Sequence, residues 1–180
     1  MISEWTLTMN NIDKFYKVIY GLSYVTRYAT IPRIKDESVA EHSFYVASLV
    51  IELRKYYNFD VGSATVMAVS HDWIEAWVDD ITIKTKRDFP IIADAVNVAE
   101  REAANRELSD HVLPYWNEMQ ACETVEAKIV RLADILQCIQ YSSHEIKLGN
   151  SGYMTEVLDS ANSRLSVLIK ELEHARTNAG

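Results

Sequence analysis

Apolar residues recur at helical spacing along nearly the whole chain. Ile12, Phe15, Tyr16 and Ile19 fall at i, i+3, i+4 and i+7, which predicts an amphipathic helix ending near Gly21. The stretch to Glu37, with Pro32 and a mixture of Arg33, Lys35 and Asp36, reads as a loop. Ser38 and Glu41 then form an S-x-x-E capping box, and Val39, His42, Val46, Leu49 and Leu53 follow at steps of three and four. A third helix is capped by Asp60 and places Ala64, Ala68, His71 and Glu75 on one face. Pro90 suits the first position of a fourth helix running to about Leu108, and a short connecting segment with Pro114 follows. From about Glu123 to Leu148 two apolar stripes run along one long helix, Val125, Ile129, Leu132, Leu136 and Ile139 on one side and Ala127, Val130, Cys138 and Tyr141 on the other. That helix should be central and buried on both sides. Gly149, Asn150 and Gly152 end it, and Met154, Val157, Ala161, Leu165, Leu168 and Leu172 give a last helix before a polar tail, Thr177 to Gly180.

Three polar side chains interrupt these apolar faces. His42 and His71 sit where core residues are expected, and Asp134 lies on the second stripe of the long helix between Val130 and Cys138. An isolated carboxylate there would cost several kcal/mol unless partnered by a cation. With Asp72 beside His71, two imidazoles and two carboxylates make a four-ligand set for a divalent transition metal such as Mn, Fe, Co, Ni or Zn. A lone core His more often satisfies itself on a backbone carbonyl, but three such residues together favour a metal.

Composition narrows the class. The 180 residues are 48% hydrophobic and 24% charged, which excludes a disordered chain and a disulfide scaffold. Only five glycines and three prolines are present, too few for the turns of an all-β fold, so the expectation is one all-α domain over 1–180. A net charge of -8 disfavours nucleic-acid polymers and anionic membranes as partners. Cys122 and Cys138 form no CxxC pattern and read as reduced thiols. With no basic n-region and no run of about 18 apolar residues, the chain reads as cytoplasmic.

The pattern His42, His71-Asp72, Asp134 resembles the ligand signature of the HD-domain metal phosphohydrolases. The surrounding segments, Glu37-Ser38-Val39-Ala40-Glu41-His42-Ser43 and His71-Asp72-Trp73-Ile74-Glu75-Ala76-Trp77-Val78-Asp79-Asp80-Ile81, are similar to motifs of the bacterial 5′-deoxynucleotidases and their small phage relatives that hydrolyse dATP to deoxyadenosine and triphosphate. The resemblance spans about Arg27 to Gly152. It implies a compact all-helical fold with the metal between core helices and a small-molecule deoxynucleotide as substrate. It also implies an even homo-oligomer, dimer or hexamer.

Residue by residue, the resemblance makes Arg27 the binder of the substrate phosphate, a task suited to its fixed guanidinium fork. Glu75, one helical turn after His71, and Asp80, near the end of the same helix, become the two catalytic carboxylates, one orienting water and the other handling the proton of the leaving O5′. Asp79 stands where the family usually has glycine. Tyr28 takes the place of an aromatic that packs on the sugar. Lys84, Lys86 and Arg87 cluster just after Asp80, and Lys128 and Arg131 precede Asp134. As β- and γ-phosphate binders they point to a deoxynucleoside triphosphate such as dATP, which would bring a second divalent ion with it. As a solvated charged face they leave a monophosphate. Two more distant alternatives are a guanosine tetraphosphate hydrolase, which typically carries HDxxED where this chain has Ala76, and a non-catalytic helical metal-binding protein.

Overall fold

The computed structural model describes residues 4–178, and no strand occurs among them. The first helix, α1 (Glu4–Gly21), starts earlier than its stripe suggests. Ile12, Phe15 and Tyr16 stay largely exposed instead of entering the core; the Phe15 ring lies 5.0 Å from that of Trp73, and Tyr16 stacks on Tyr20 of the same helix at 6.0 Å. The loop that follows is closed at its ends by a bridge between Thr26 and Ser38.

Helix α2 (Val39–Leu53) begins at the expected capping box. The Glu41 N–H donates to Ser38 Oγ at 3.2 Å, and the Ser38 N–H donates to Glu41 Oε2 at 2.8 Å. Asp60 caps α3 (Val61–Ser70) by accepting from the Gly62 N–H at 2.9 Å. Ala64 and Ala68 are fully buried, small enough for α2 and the long helix that holds Asp134 to approach closely.

Beyond Ser70 the structure corrects the sequence reading. The predicted third helix does not run through His71 to Asp80. His71 is the C-cap of α3, residues 71–74 form turns, α4 covers only Glu75–Val78, and Asp80 follows in an irregular segment. Ile74, 2% exposed, pins these turns against Ala103, Ala104 and Trp116 in a small second core, which outweighs continued helix. Asp79 marks the break, with φ 61° and ψ 165°.

A short α5 (Ile83–Asp88) and α6 (Pro90–Glu107) follow, with Pro90 in the first turn of α6 as expected. The segment around Pro114 is a helix, α7 (Leu113–Ala121), and not a mere connection. Pro114 sits in its first turn, where a missing N–H is tolerated, and Trp116 and Met119 are buried one turn apart.

The long helix α8 (Val125–Lys147) is central as predicted, packing against α2, α3, α7 and α9. Both of its stripes contribute to the main core: Ile129, Leu132, Ala127, Val130, Cys138 and Tyr141 are buried, although Val125 at the helix start is 38% exposed. Gly149 at φ 108° supplies the left-handed turn into α9 (Ser151–Asn178). Met154, Ala161, Leu168 and Leu172 of α9 are buried against α8. Of the polar tail, Thr177 and Asn178 continue α9, and 179–180 lie outside the described residues.

Candidate active site

His42 of α2 and His71 at the end of α3 project toward the same face of α8. Their Nε2 atoms stand 3.3 Å apart. Asp72 Oδ2 lies 3.5 Å from His42 Nε2 and 3.1 Å from His71 Nε2, and Asp134 Oδ1 lies 3.5 Å from His42 Nε2. His42, His71 and Asp134 offer ligand atoms all within 4.8 Å of one another. All four residues singled out in the sequence thus converge.

Each imidazole has its outer nitrogen engaged. His42 Nδ1 meets Gln137 Oε1 at 2.9 Å, and His71 Nδ1 meets the Ala68 carbonyl at 2.8 Å. With Nδ1–H donating outward, the Nε2 lone pairs point into the cluster, as metal-bound histidines require. Burial and the nearby Arg27 charge push the His42 pKa down to about 3, so the ring is neutral and able to ligate. Burial opposes charge on His71 and Asp72 as well, but their mutual attraction wins, raising His71 and holding Asp72 below the usual carboxylate range. The carboxylates of Asp72 and Asp134 therefore favour positive charge at this point, and the donor set of two imidazoles and two carboxylates fits a divalent transition metal.

Arg27 is held in place by groups that the sequence reading gave no role. Its Nη1 donates to Glu37 Oε2 and to Gln137 Oε1, each at 2.9 Å, and Gln137 Nε2 donates to Glu37 Oε1 at 2.6 Å. Glu37 and Gln137 are 5% exposed, so this network is buried and fully paired. Gln137 connects the arginine to the first histidine. Its signal in the sequence was the one that exposed Asp134, a polar residue among buried positions of α8.

Asp80 accepts the Tyr28 N–H at 3.2 Å, which fixes Tyr28 at φ 57°. The Tyr28 ring is buried and stacks on Tyr141 at 5.2 Å with an interplanar angle of 6°. It is thus a packed core tyrosine that also lines the cavity. Glu75 keeps a buried Oε2 with no hydrogen-bond partner, and burial with the charges of Asp72 and Asp80 pushes its pKa up to about 10. Burial and Asp72 likewise raise Asp80, while Arg27 pulls it down.

These side chains floor a cavity of about 450 Å3, within the usual size of small-molecule sites. Lys84, Lys86, Arg87 and Arg131 line it, as does Arg164 from α9. The basic cluster is not free. Lys84 pairs with Asp88, Lys86 with Glu100 at 3.2 Å, and Arg87 with Glu156 at 3.0 Å. On the far side of the ligand set a polar recess of about 140 Å3 is reached by Lys86 and Arg131. Lys128 does not join the site; it faces Glu171.

An all-helical frame holding His, His-Asp and Asp around one point, beside a buried arginine, defines an HD-domain metal-dependent phosphohydrolase. The sequence model of the family described as 5′-deoxynucleotidase YfbR-like matches residues 14–176, and the chain belongs to that family. It is 26% identical over 172 residues to the 5′-deoxynucleotidase PM0747 of Pasteurella multocida, covering 88% of this chain and 85% of the relative. It is also 26% identical over 158 residues to the dATP triphosphohydrolase of Salmonella phage PMBT28, covering 82% and 74%. Among solved structures it resembles the HD phosphohydrolase DatZ of cyanophage S-2L, bound to dA and one catalytic Zn2+ ion. That match has a TM-score of 0.59 at 14% identity and covers 90% of this chain and 96% of the other.

Proposed function

We propose that the protein hydrolyses the ester between O5′ and the α-phosphorus of deoxynucleotides, releasing the deoxynucleoside. The observation that carries this reading is the convergence of His42, His71, Asp72 and Asp134 beside Arg27 on the floor of a nucleotide-sized cavity. These four side chains would hold a divalent ion, which would supply Lewis-acid charge for the phosphoryl group and for a water nucleophile. Arg27, fixed by Glu37 and Gln137, clamps the scissile phosphate through its remaining donors. Glu75 and Asp80 divide the proton work: one orients the water, and the other gives a proton to the departing O5′. Tyr28 closes the sugar side of the cavity.

The polar recess brings Lys86 and Arg131 to the ligand set beside Asp72, Glu75 and Glu100, so a triphosphate entering it would carry a second divalent ion to offset those carboxylates; this is the first reading of the substrate. A monophosphate is the second reading, favoured by the internal ion pairs of Lys84, Lys86 and Arg87. We place the enzyme in the cytoplasm, consistent with the absence of any helix among the described residues long and apolar enough to cross a membrane. The exposed aromatic face of α1, with Trp5, Phe15, Tyr16 and Tyr20, supports an even homo-oligomer that covers it.

Incubating metal-loaded protein with dNMPs, dNTPs and ATP, and separating the products by chromatography, tests the reading. Triphosphate with deoxynucleoside identifies a triphosphohydrolase, and inorganic phosphate from monophosphates alone identifies a 5′-deoxynucleotidase. Absence of deoxynucleoside from every substrate refutes both. Glu75→Ala should abolish turnover with the metal retained, whereas a non-catalytic metal protein would be indifferent to it.

A further inference from the structure

The main cavity and the polar recess meet at the metal-ligand set, sharing Asp72, Glu75, Lys86 and Arg131 as lining. Arg131 lies one helical turn before Asp134 on α8, toward the polar recess, and Cys138 lies one turn after it, about 6 Å along the helix axis. At Cys138 the wall is completed by Arg164 of α9, whose Nη2 is 3.9 Å from Cys138 Sγ. The other cations of the cavity are each paired: Arg27 with Glu37, Lys84 with Asp88, Lys86 with Glu100, Arg87 with Glu156 and Arg131 with Asp134. Arg164 has no carboxylate partner among the described residues, and its Nε is buried without a hydrogen-bond acceptor. The Nε is closed off from any ligand, but the guanidinium lines the cavity with a charge that no carboxylate among the described residues meets, which leaves its terminal amines to acceptors that enter.

We propose that Arg164 reads the nucleobase and selects guanine over adenine. The proposal rests on the deoxynucleotide reading above and deepens it. With the scissile phosphate at Arg27 and the ligand set, a phosphate tail entering the recess would leave the main cavity, of about 450 Å3, to the nucleoside. The lining of that cavity includes Ile31, Pro32, Tyr153 and Val157, apolar and aromatic surface suited to a flat base, beside polar groups such as Ser160 and the paired Arg87 and Glu156. A guanidinium offers five donors and no acceptor. Guanine presents O6 and N7 side by side, two acceptors that match the fork, whereas adenine sets its N6 amino group beside N7 and turns one donor against another.

The test compares guanine and adenine substrates on the wild type, Arg164→Leu and Arg164→Gln. It is paired with calorimetric binding of deoxyguanosine and deoxyadenosine to the metal-loaded proteins. The wild type should favour guanine by about tenfold or more in kcat/KM and in affinity. Arg164→Leu should bring the ratio close to one, chiefly by losing guanine. Arg164→Gln should reverse it, because a carboxamide pairs with adenine N6 and N7. Equal losses for both bases in the variants, no base preference in the wild type, or no binding of either deoxynucleoside overturns the proposal. Selective binding of deoxyguanosine without any hydrolysis would uphold the base reading and refute the hydrolase. Hydrolysis without base preference would do the reverse.

Discussion

Replacing Gln137 by leucine keeps the side-chain volume near its own and removes three buried hydrogen bonds at once: from His42 Nδ1, from Arg27 Nη1 and to Glu37 Oε1. Hydrogen bonds to charged groups contribute about 1.5–3 kcal/mol each. Since Arg27 and Glu37 still hold each other, a net loss of about 3 kcal/mol of stability is expected. For a chain of this size that lowers Tm by about 6–12 °C. Stability alone would not distinguish a positioning residue from a structural one. The specific consequence lies at His42, whose Nδ1–H would lose its acceptor, so that Nε2 is no longer held as the free lone pair. Loss of such an outer partner costs about 10–100-fold in metal affinity. Gln137→Glu supplies the discriminating control: it retains an acceptor for His42 and Arg27 but sets a carboxylate against Glu37. It should be destabilised yet bind metal close to wild type. Competitive chelator titration with Zn2+ or Mn2+, run beside thermal melts in EDTA, reads both effects. If Gln137→Leu binds metal within threefold of wild type, Gln137 does not orient His42 and the argument is wrong.

Asp79 occupies a backbone region that only glycine enters freely, at a cost of about 1–3 kcal/mol. Asp79→Gly should therefore raise Tm by a few degrees in thermal melts, and an unchanged or lower Tm would show that the turn is not strained. Glu145, fully buried, accepts the N–H groups of Ile34 and Lys35 and the Asn150 amide, each at 2.8 Å. Burial raises its pKa, but those three bonds prevail and hold it below the ordinary value. Its contribution is therefore present above the unfolded pKa of about 4.3 and is lost as pH falls through the lower folded value. The stability gap between wild type and Glu145→Gln, measured by urea melts from pH 7 downward, should shrink below about pH 4; a gap that widens toward acid would contradict this. Changing Lys86 and Arg87 together to Ala should raise KM for a dNTP far more than for a dNMP, and equal effects on both would mean that the cluster is only a charged surface.

The metal ligands were legible because a polar residue on an apolar stripe is a local anomaly: His42, His71 and Asp134 each break the period of their own helix. Gln137 and Glu145 break the period of α8 in the same way, but an uncharged amide and a helix-favouring glutamate carry less chemical contrast. Their meaning depends on Glu37 and the loop at Ile34 and Lys35, which are distant in sequence. The helix over 71–80 was misread because its spacing is helical. Burial of Ile74 beneath α6 and α7, a tertiary contact, breaks it. Helix α7 was hidden by Pro114, a residue that reads equally as a breaker or as a first-turn position. The stripe of α1 has helical period yet remains exposed, since period alone does not say which surface covers a face. Arg164 could not be found by pattern, being one arginine on a polar face until α9 is folded against Cys138.

The central claim is that His42, His71, Asp72 and Asp134 form one metal centre that drives ester hydrolysis. Metal-stripped wild type and Asp134→Ala, titrated with Mn2+, Co2+ or Zn2+ while deoxynucleoside release and bound metal are both measured, test it most directly. Activity should return in step with one tightly held ion per chain in the wild type, and neither tight binding nor turnover should return in the variant. Full deoxynucleoside release by the stripped protein, or by Asp134→Ala, would contradict the account.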